Sequence, residues 1–149
     1  MARILVVDDT DIVRAALVRV LTRLGHSVES TSSPLAALER LRDDPPDLPV
    51  LDYEMPVMNG AVLLQNTRCL LADRCPPALF VSGTSRDEVM SHVPEAARAS
   101  FVAKPWTTAE LVHAVTALLT PSRTAETSQA TAAVRGAAPP QGISKRSAC

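Results

Sequence analysis

Five short apolar runs recur at even intervals along the chain, and each is followed by a segment whose apolar residues repeat with the helical period. That alternation restricts the fold more than any other feature. Strands joined by helical crossovers pair in parallel, and a parallel sheet needs helices on both of its faces. The first run, Ile4 to Val7, is an unbroken Ile-Leu-Val-Val and reads as a strand buried on both sides. Thr10 or Asp11 starts the next helix, striped by Val13, Leu17, Val20 or Leu21, and Leu24, and Gly25 stops it. Ser27 to Thr31 is more polar and reads as an edge strand. Ser33 caps a helix with Pro34 at its first position and a stripe of Leu35, Leu38 and Leu41. Leu48 to Asp52 is the third strand. A turn-rich loop follows from Pro56 to Asn59 and Gly60, then a helix carrying Val62, Leu63, Leu70 and Leu71. Ala78 to Ser82 and Phe101 to Ala103 are the fourth and fifth strands. Ser85 with Glu88, and Thr107 with Glu110, have capping-box spacing for the helices after them, the last striped by Leu111, Val115 and Leu118.

Two prolines modify this pattern. Pro49 lacks the N–H of a ladder donor, which predicts a late start and a weaker ladder in the third strand. Pro94 predicts an early end to the fourth helix. With 149 residues the chain suffices for one domain, expected over residues 1–119. From Thr120 onward Ala, Ser, Thr, Pro and Gly dominate, so residues 120–149 are expected to form a flexible low-complexity tail. The net charge of -1 is uneven, because the tail is basic and the body is mildly acidic. An acidic body lacks the phosphate-neutralising face of a nucleic-acid binder, and no apolar run approaches the length of a membrane span. Cys69, Cys75 and Cys149 are odd in number and lack CxxC spacing, so a reduced, cytoplasmic setting is expected.

In an open parallel sheet, ligands bind beyond the carboxyl ends of the strands. The residues at those ends are Asp8 and Asp9, Asp52, Ser82 and Lys104. Taken singly, each has an ordinary explanation: acids favour helix N-termini, and Asp and Ser form turns. Taken together they put three carboxylates, a hydroxyl and an ammonium on one rim. Two carboxylates about 5 Å apart at an effective dielectric near 20 repel by roughly 3 kcal/mol, so three of them resist ionising unless a cation intervenes. Oxygen ligands of this kind suit Mg²⁺, with Asp9 and Asp52 as direct ligands and Asp8 through water. The three histidines lack metal-ligand spacing and read as surface residues.

The series Val7-Asp8-Asp9, Leu51-Asp52-Tyr53-Glu54-Met55-Pro56 with Asn59-Gly60, Val81-Ser82-Gly83 and Phe101-Val102-Ala103-Lys104-Pro105 resembles the receiver domain of bacterial two-component response regulators, over residues 3 to 119. The resemblance implies a doubly wound five-stranded parallel sheet of order 2-1-3-4-5, flavodoxin-like, with helices on both faces. It implies that Asp52 accepts a phosphoryl group from the phosphohistidine of a sensor histidine kinase, or from a histidine phosphotransfer protein. Mg²⁺ or Mn²⁺ would be held by Asp8, Asp9, Asp52 and the backbone carbonyl of Glu54. Lys104 and Ser82 would meet the phosphoryl oxygens, and Ser82 with Phe101 would act as the switch. The output would be a downstream protein on the face formed by the fourth helix, fifth strand and fifth helix, without nucleic acid or membrane. Ser82 stands where threonine is commoner, which retains the hydroxyl. The chain is then expected to be no dedicated enzyme. Two other functions compete: a haloacid-dehalogenase-like phosphatase using Asp9 and Asp11, whose Asp-x-Asp-x-Val form is present, and a docking module independent of phosphorylation.

Overall fold

A computed structural model describes residues 1–120. Five strands, β1 (Arg3–Val7), β2 (Ser27–Thr31), β3 (Leu48–Leu51), β4 (Ala78–Ser82) and β5 (Ala99–Ala103), alternate with the helices α1 (Asp11–Arg23), α2 (Pro34–Asp43), α3 (Gly60–Leu71), α4 (Arg86–Ser91) and α5 (Thr108–Leu119). A single 3-10 turn, Ala72–Arg74, follows α3. The sheet is parallel throughout with order β2-β1-β3-β4-β5, as the resemblance implies. Residues from 121 onward, and with them most of the expected tail, lie outside the described residues.

The alternating side chains of the buried strands build two apolar layers. Ile4, Val6, Leu48, Val50, Leu79, Val81 and Val102 pack with Leu17 and Leu21 of α1 and Leu111 and Val115 of α5. Leu5, Val7, Leu51, Ala78 and Phe80 pack with Ala37 and Leu41 of α2, Leu63 and Leu64 of α3, and Val89 of α4. Helices therefore cover both faces, two on one and three on the other.

Capping follows the sequence at α2, α4 and α5, whereas Thr10 at the start of α1 makes no side-chain cap bond. Ser33 Oγ accepts from Ala36 N, Asn59 Oδ1 from Val62 N, and Ser85 Oγ from Glu88 N. At α5 both halves of the capping box form: Thr107 Oγ1 accepts from Glu110 N, and Glu110 Oε1 accepts from Thr107 N. Gly25 ends α1 at a φ of +94°, which a side chain would resist.

Three expectations need correction. The stripe of α3 is rotated, because Val62 and Leu70 are exposed while Leu63, Leu64, Thr67 and Leu71 are buried. In α2, Leu35 is exposed and Pro34, Ala37 and Leu41 face the core. The third strand does not start late, since Leu48 and Pro49 pair with Ile4 and Leu5 of β1. Alternate residues of a strand point their N–H groups to opposite neighbours, and Asp52 N donates to Val7 O on β1. Pro49 is odd in that alternation, so its missing donor falls on the β4 side, where the ladder begins only at Val50 with Leu79. Pro94 has its expected effect: α4 is six residues long and capped by His92. Among the described residues Cys75 is a free, half-buried thiol. Among the described residues no helix is long and apolar enough to cross a membrane.

Candidate functional site

One construction rule places three of the site residues. Each follows the end of its strand, and its amide is held by the last carbonyl of the neighbouring strand. Asp8 N donates to Thr31 O of β2 at 3.2 Å, Asp52 N to Val7 O of β1 at 2.9 Å, and Lys104 N to Ser82 O of β4 at 2.9 Å. Each ladder thus runs one residue past its strand, and the polar side chains leave the sheet at its carboxyl rim.

The rim is crowded with negative charge. One oxygen from each of the Asp8, Asp9 and Asp52 carboxylates lies within 4.8 Å of the others. Asp8 and Asp52 are buried, at 1% and 6% exposure, whereas Asp9 is exposed. Asp8 is fully engaged: Oδ1 accepts from Thr10 N at 2.8 Å and Oδ2 from Lys104 Nζ at 3.0 Å. Lys104 Nζ also lies 3.5 Å from Asp52 Oδ2, so one ammonium serves two buried acids. Burial, followed by the charge of Asp8, pushes the Asp52 carboxyl up to about 6; Lys104 pulls against that rise and Asp9 adds to it.

The three acids fit a hard divalent cation. Their donors are all oxygen, they converge within a few ångströms, and the three carboxylates outnumber the one ammonium, Lys104, that reaches Asp8 and Asp52.

The remaining expected residues surround this group. Ser82, the last residue of β4, is buried, and its Oγ accepts from Thr84 N at 3.1 Å. Glu54 is exposed, and its carboxylate accepts from the Thr84 hydroxyl, bridging the loops after β3 and β4. Phe101 is half-buried in β5 opposite Phe80 and packs on the layer shared with α3 and α4. Asp11 is not brought to the group: its carboxylate is largely exposed and pairs with Arg14, so the Asp9/Asp11 phosphatase pair finds no support in the geometry.

Gly60 sets how α3 meets the site. A Cβ there would lie 2.3 Å from the backbone carbonyl oxygen of Asp52 and 3.0 Å from Phe80 Cε1, and Gly60 N donates to Tyr53 O at 2.8 Å. The first turn of α3 therefore rests on the backbone of the central acid, a contact only glycine allows. In the loop between them Val57 takes a φ of +76°, a left-handed conformation unusual for a β-branched residue. Sequence reasoning missed two features. Tyr53 stacks on His92 with ring centroids 6.1 Å apart, tying the residue after Asp52 to the end of α4. Arg14 donates to the Asp8 backbone carbonyl. Neither leaves a pattern in the sequence, because each joins residues whose spacing belongs to no local motif.

The family profile described as the response regulator receiver domain matches residues 4–116. The chain is 39% identical over 105 residues to a protein-glutamate methylesterase/protein-glutamine glutaminase of Anaeromyxobacter dehalogenans, covering 69% of this chain and 29% of that protein. It is 37% identical over 119 residues to the response regulator MprA of Mycobacterium avium, covering 78% of this chain and 50% of that protein. The chain thus spans half or less of these relatives. The solved structure of chemotaxis protein CheY4 from Vibrio cholerae superposes with a TM-score of 0.73 at 24% identity, covering 80% of this chain and 99% of that one, which shows a shared fold.

Proposed function

Because the chain belongs to the response regulator receiver domain family, the phosphoacceptors of two-component signalling, we propose that Asp52 is the residue that takes the phosphoryl group. The observation that carries this reading is the buried Asp52 carboxylate, flanked by two further acids and approached by Lys104 at 3.5 Å. An Asp52 oxygen attacks phosphorus in line; the O–P bond forms as the N–P bond of a phosphohistidine breaks, and the imidazole nitrogen leaves with the bonding electrons.

Asp8, Asp9, Asp52 and the Glu54 carbonyl would hold Mg²⁺ or Mn²⁺, which supplies positive charge against the carboxylates and the incoming phosphoryl oxygens. Lys104 already stands between Asp8 and Asp52, so a small swing of its ammonium brings it to a phosphoryl oxygen as a compact cation. The Ser82 hydroxyl accepts from Thr84 N and retains its own proton to donate to a second oxygen. Motion of Ser82 toward that oxygen, followed by Phe101, would couple the site to the surface of α4, β5 and α5, where a downstream protein binds. The donor is a sensor histidine kinase or a histidine phosphotransfer protein, the setting is cytoplasmic, and the chain assists its own phosphorylation without being a dedicated enzyme.

Incubation with Mg²⁺ and acetyl phosphate tests the assignment. One phosphoryl group should appear by intact mass and be absent from Asp52→Asn. No mass gain in the wild type, or a gain that survives the amide substitution, overturns it.

A further inference from the structure

Arg14 lies outside everything the phosphoacceptor chemistry uses, yet it is bound into the rim. From α1 its guanidinium donates through Nη1 to the backbone carbonyl of Asp8 at 2.8 Å and through Nη2 to Asp11 Oδ1 at 2.6 Å. Its side chain is only 21% exposed, against 85% for Asp11. The carbonyl it holds belongs to the peptide plane joining Asp8 to Asp9. Peptide planes are rigid, so holding that oxygen restrains where the Asp9 N and Cα sit and leaves only rotation about the N–Cα bond to aim the side chain.

Asp9 needs such support. Asp8 is held through both carboxylate oxygens and its amide, and Asp52 is buried beside Lys104 with its amide on β1. The Asp9 carboxylate is exposed and, among the described residues, has no hydrogen bond or ion pair of its own. Its place within 4.8 Å of the other two is therefore set by the backbone.

We infer that Arg14 is a positioning residue for the divalent-cation site: its two-armed clamp on the Asp8 carbonyl and Asp11 presets the Asp9 carboxylate toward Asp8 and Asp52. The inference rests on the metal site proposed above. Its sign distinguishes it from simple electrostatics. Removing a positive charge close to three carboxylates would by itself strengthen cation binding, whereas releasing the Asp9 peptide weakens it. The weakening also depends on the ion. Mg²⁺ demands near-ideal octahedral geometry, while Ca²⁺ accepts more ligands in looser arrangements, so a displaced Asp9 harms Mg²⁺ more.

The test is titration of the full chain with MgCl₂ and separately with CaCl₂, without phosphodonor, followed by amide NMR shifts, with metal-free melting curves alongside. Loss of outer partners of metal ligands costs about 10- to 100-fold in affinity. Arg14→Ala should accordingly weaken Mg²⁺ by about tenfold and Ca²⁺ by less than about threefold. Arg14→Lys, which keeps the charge without the planar fork, should restore melting more fully than Mg²⁺ affinity. Asp11→Asn, which keeps the bond to the Asp8 carbonyl, should fall between wild type and Arg14→Ala. Should Arg14→Ala lose its cooperative melt, the Mg²⁺-to-Ca²⁺ ratio of the other two variants decides by the same criterion. Unchanged or tighter Mg²⁺ binding, or equal losses for both ions, overturns the role of Arg14. A wild type that binds no Mg²⁺ overturns the site itself and this inference with it.

Discussion

Replacing Asp52 by asparagine should make the metal-free protein more stable at neutral pH. The folded carboxyl is pushed from 3.8 to about 6, chiefly by burial, so the folded state holds this proton more tightly than the unfolded chain does. Both states bind the proton below about pH 4, and no penalty exists there. As pH rises from about 4 through 6 the unfolded acid ionises freely while the folded one resists, and stability falls until both are charged. Above that window the penalty is about 3 kcal/mol. Asparagine removes it; the pull of Lys104, 3.5 Å away, is already contained in that net rise, and Lys104 keeps Asp8 at 3.0 Å. A gain of up to about 3 kcal/mol follows, which for a domain of this size raises the melting temperature by roughly 5 to 10 °C. Thermal melts of wild type and Asp52→Asn in a chelator at pH 4 and pH 7.5 measure it. Equal melting temperatures at pH 7.5, or the same difference at both pH values, would refute the reasoning.

Two further substitutions probe the same rim. Gly60→Ala places a Cβ against the Asp52 carbonyl and Phe80, neither of which can move cheaply, and should cost about 2 to 3 kcal/mol in urea unfolding; a loss below about 0.5 kcal/mol would show that α3 does not bear on β3 as described. Lys104→Met removes the cation that pulls the Asp52 carboxyl down, so a ¹³C pH titration should find it above its wild-type value, and a fall would contradict the arrangement.

The elements most legible in the sequence were those whose burial and boundaries agree. Ser27–Thr31 and Ala78–Ser82 have the boundaries that their turn residues and apolar runs imply. β5 starts two residues before Phe101, because Ala99 and Ser100 carry little strand preference and join through pairing with Ala78 and Leu79. The face of α3 was misread because Gly-Ala-Val-Leu-Leu offers apolar residues on every side, leaving the neighbouring elements to choose. At the site, the strand-end positions of Asp8, Asp52, Ser82 and Lys104 were legible through the strand-helix rhythm, since each follows or ends an apolar run. The division of labour among the acids was not. Whether Asp8 or Asp9 is the buried one, and whether Asp11 joins them, depends on Thr10 N, Lys104 and Arg14 as hydrogen-bonding partners, and these contacts exist only once the rim is assembled.

Pro49 divides the sheet into two parts. Asp8, Asp9 and Asp52 ride on the β2-β1-β3 part, Ser82 and Lys104 on the β4-β5 part, and among the described residues the ladder joining them consists of Val50 with Leu79 and Leu51 with Phe80. Both pairs lie at the end of β3 that leads into Asp52, while the end where Pro49 lacks its donor is the far one. The gap in hydrogen bonding accordingly falls at the base of the sheet, and the paired residues at its upper edge. The sheet's shortest ladder thereby keeps its pairing next to the place where acid, hydroxyl and ammonium must hold their spacing.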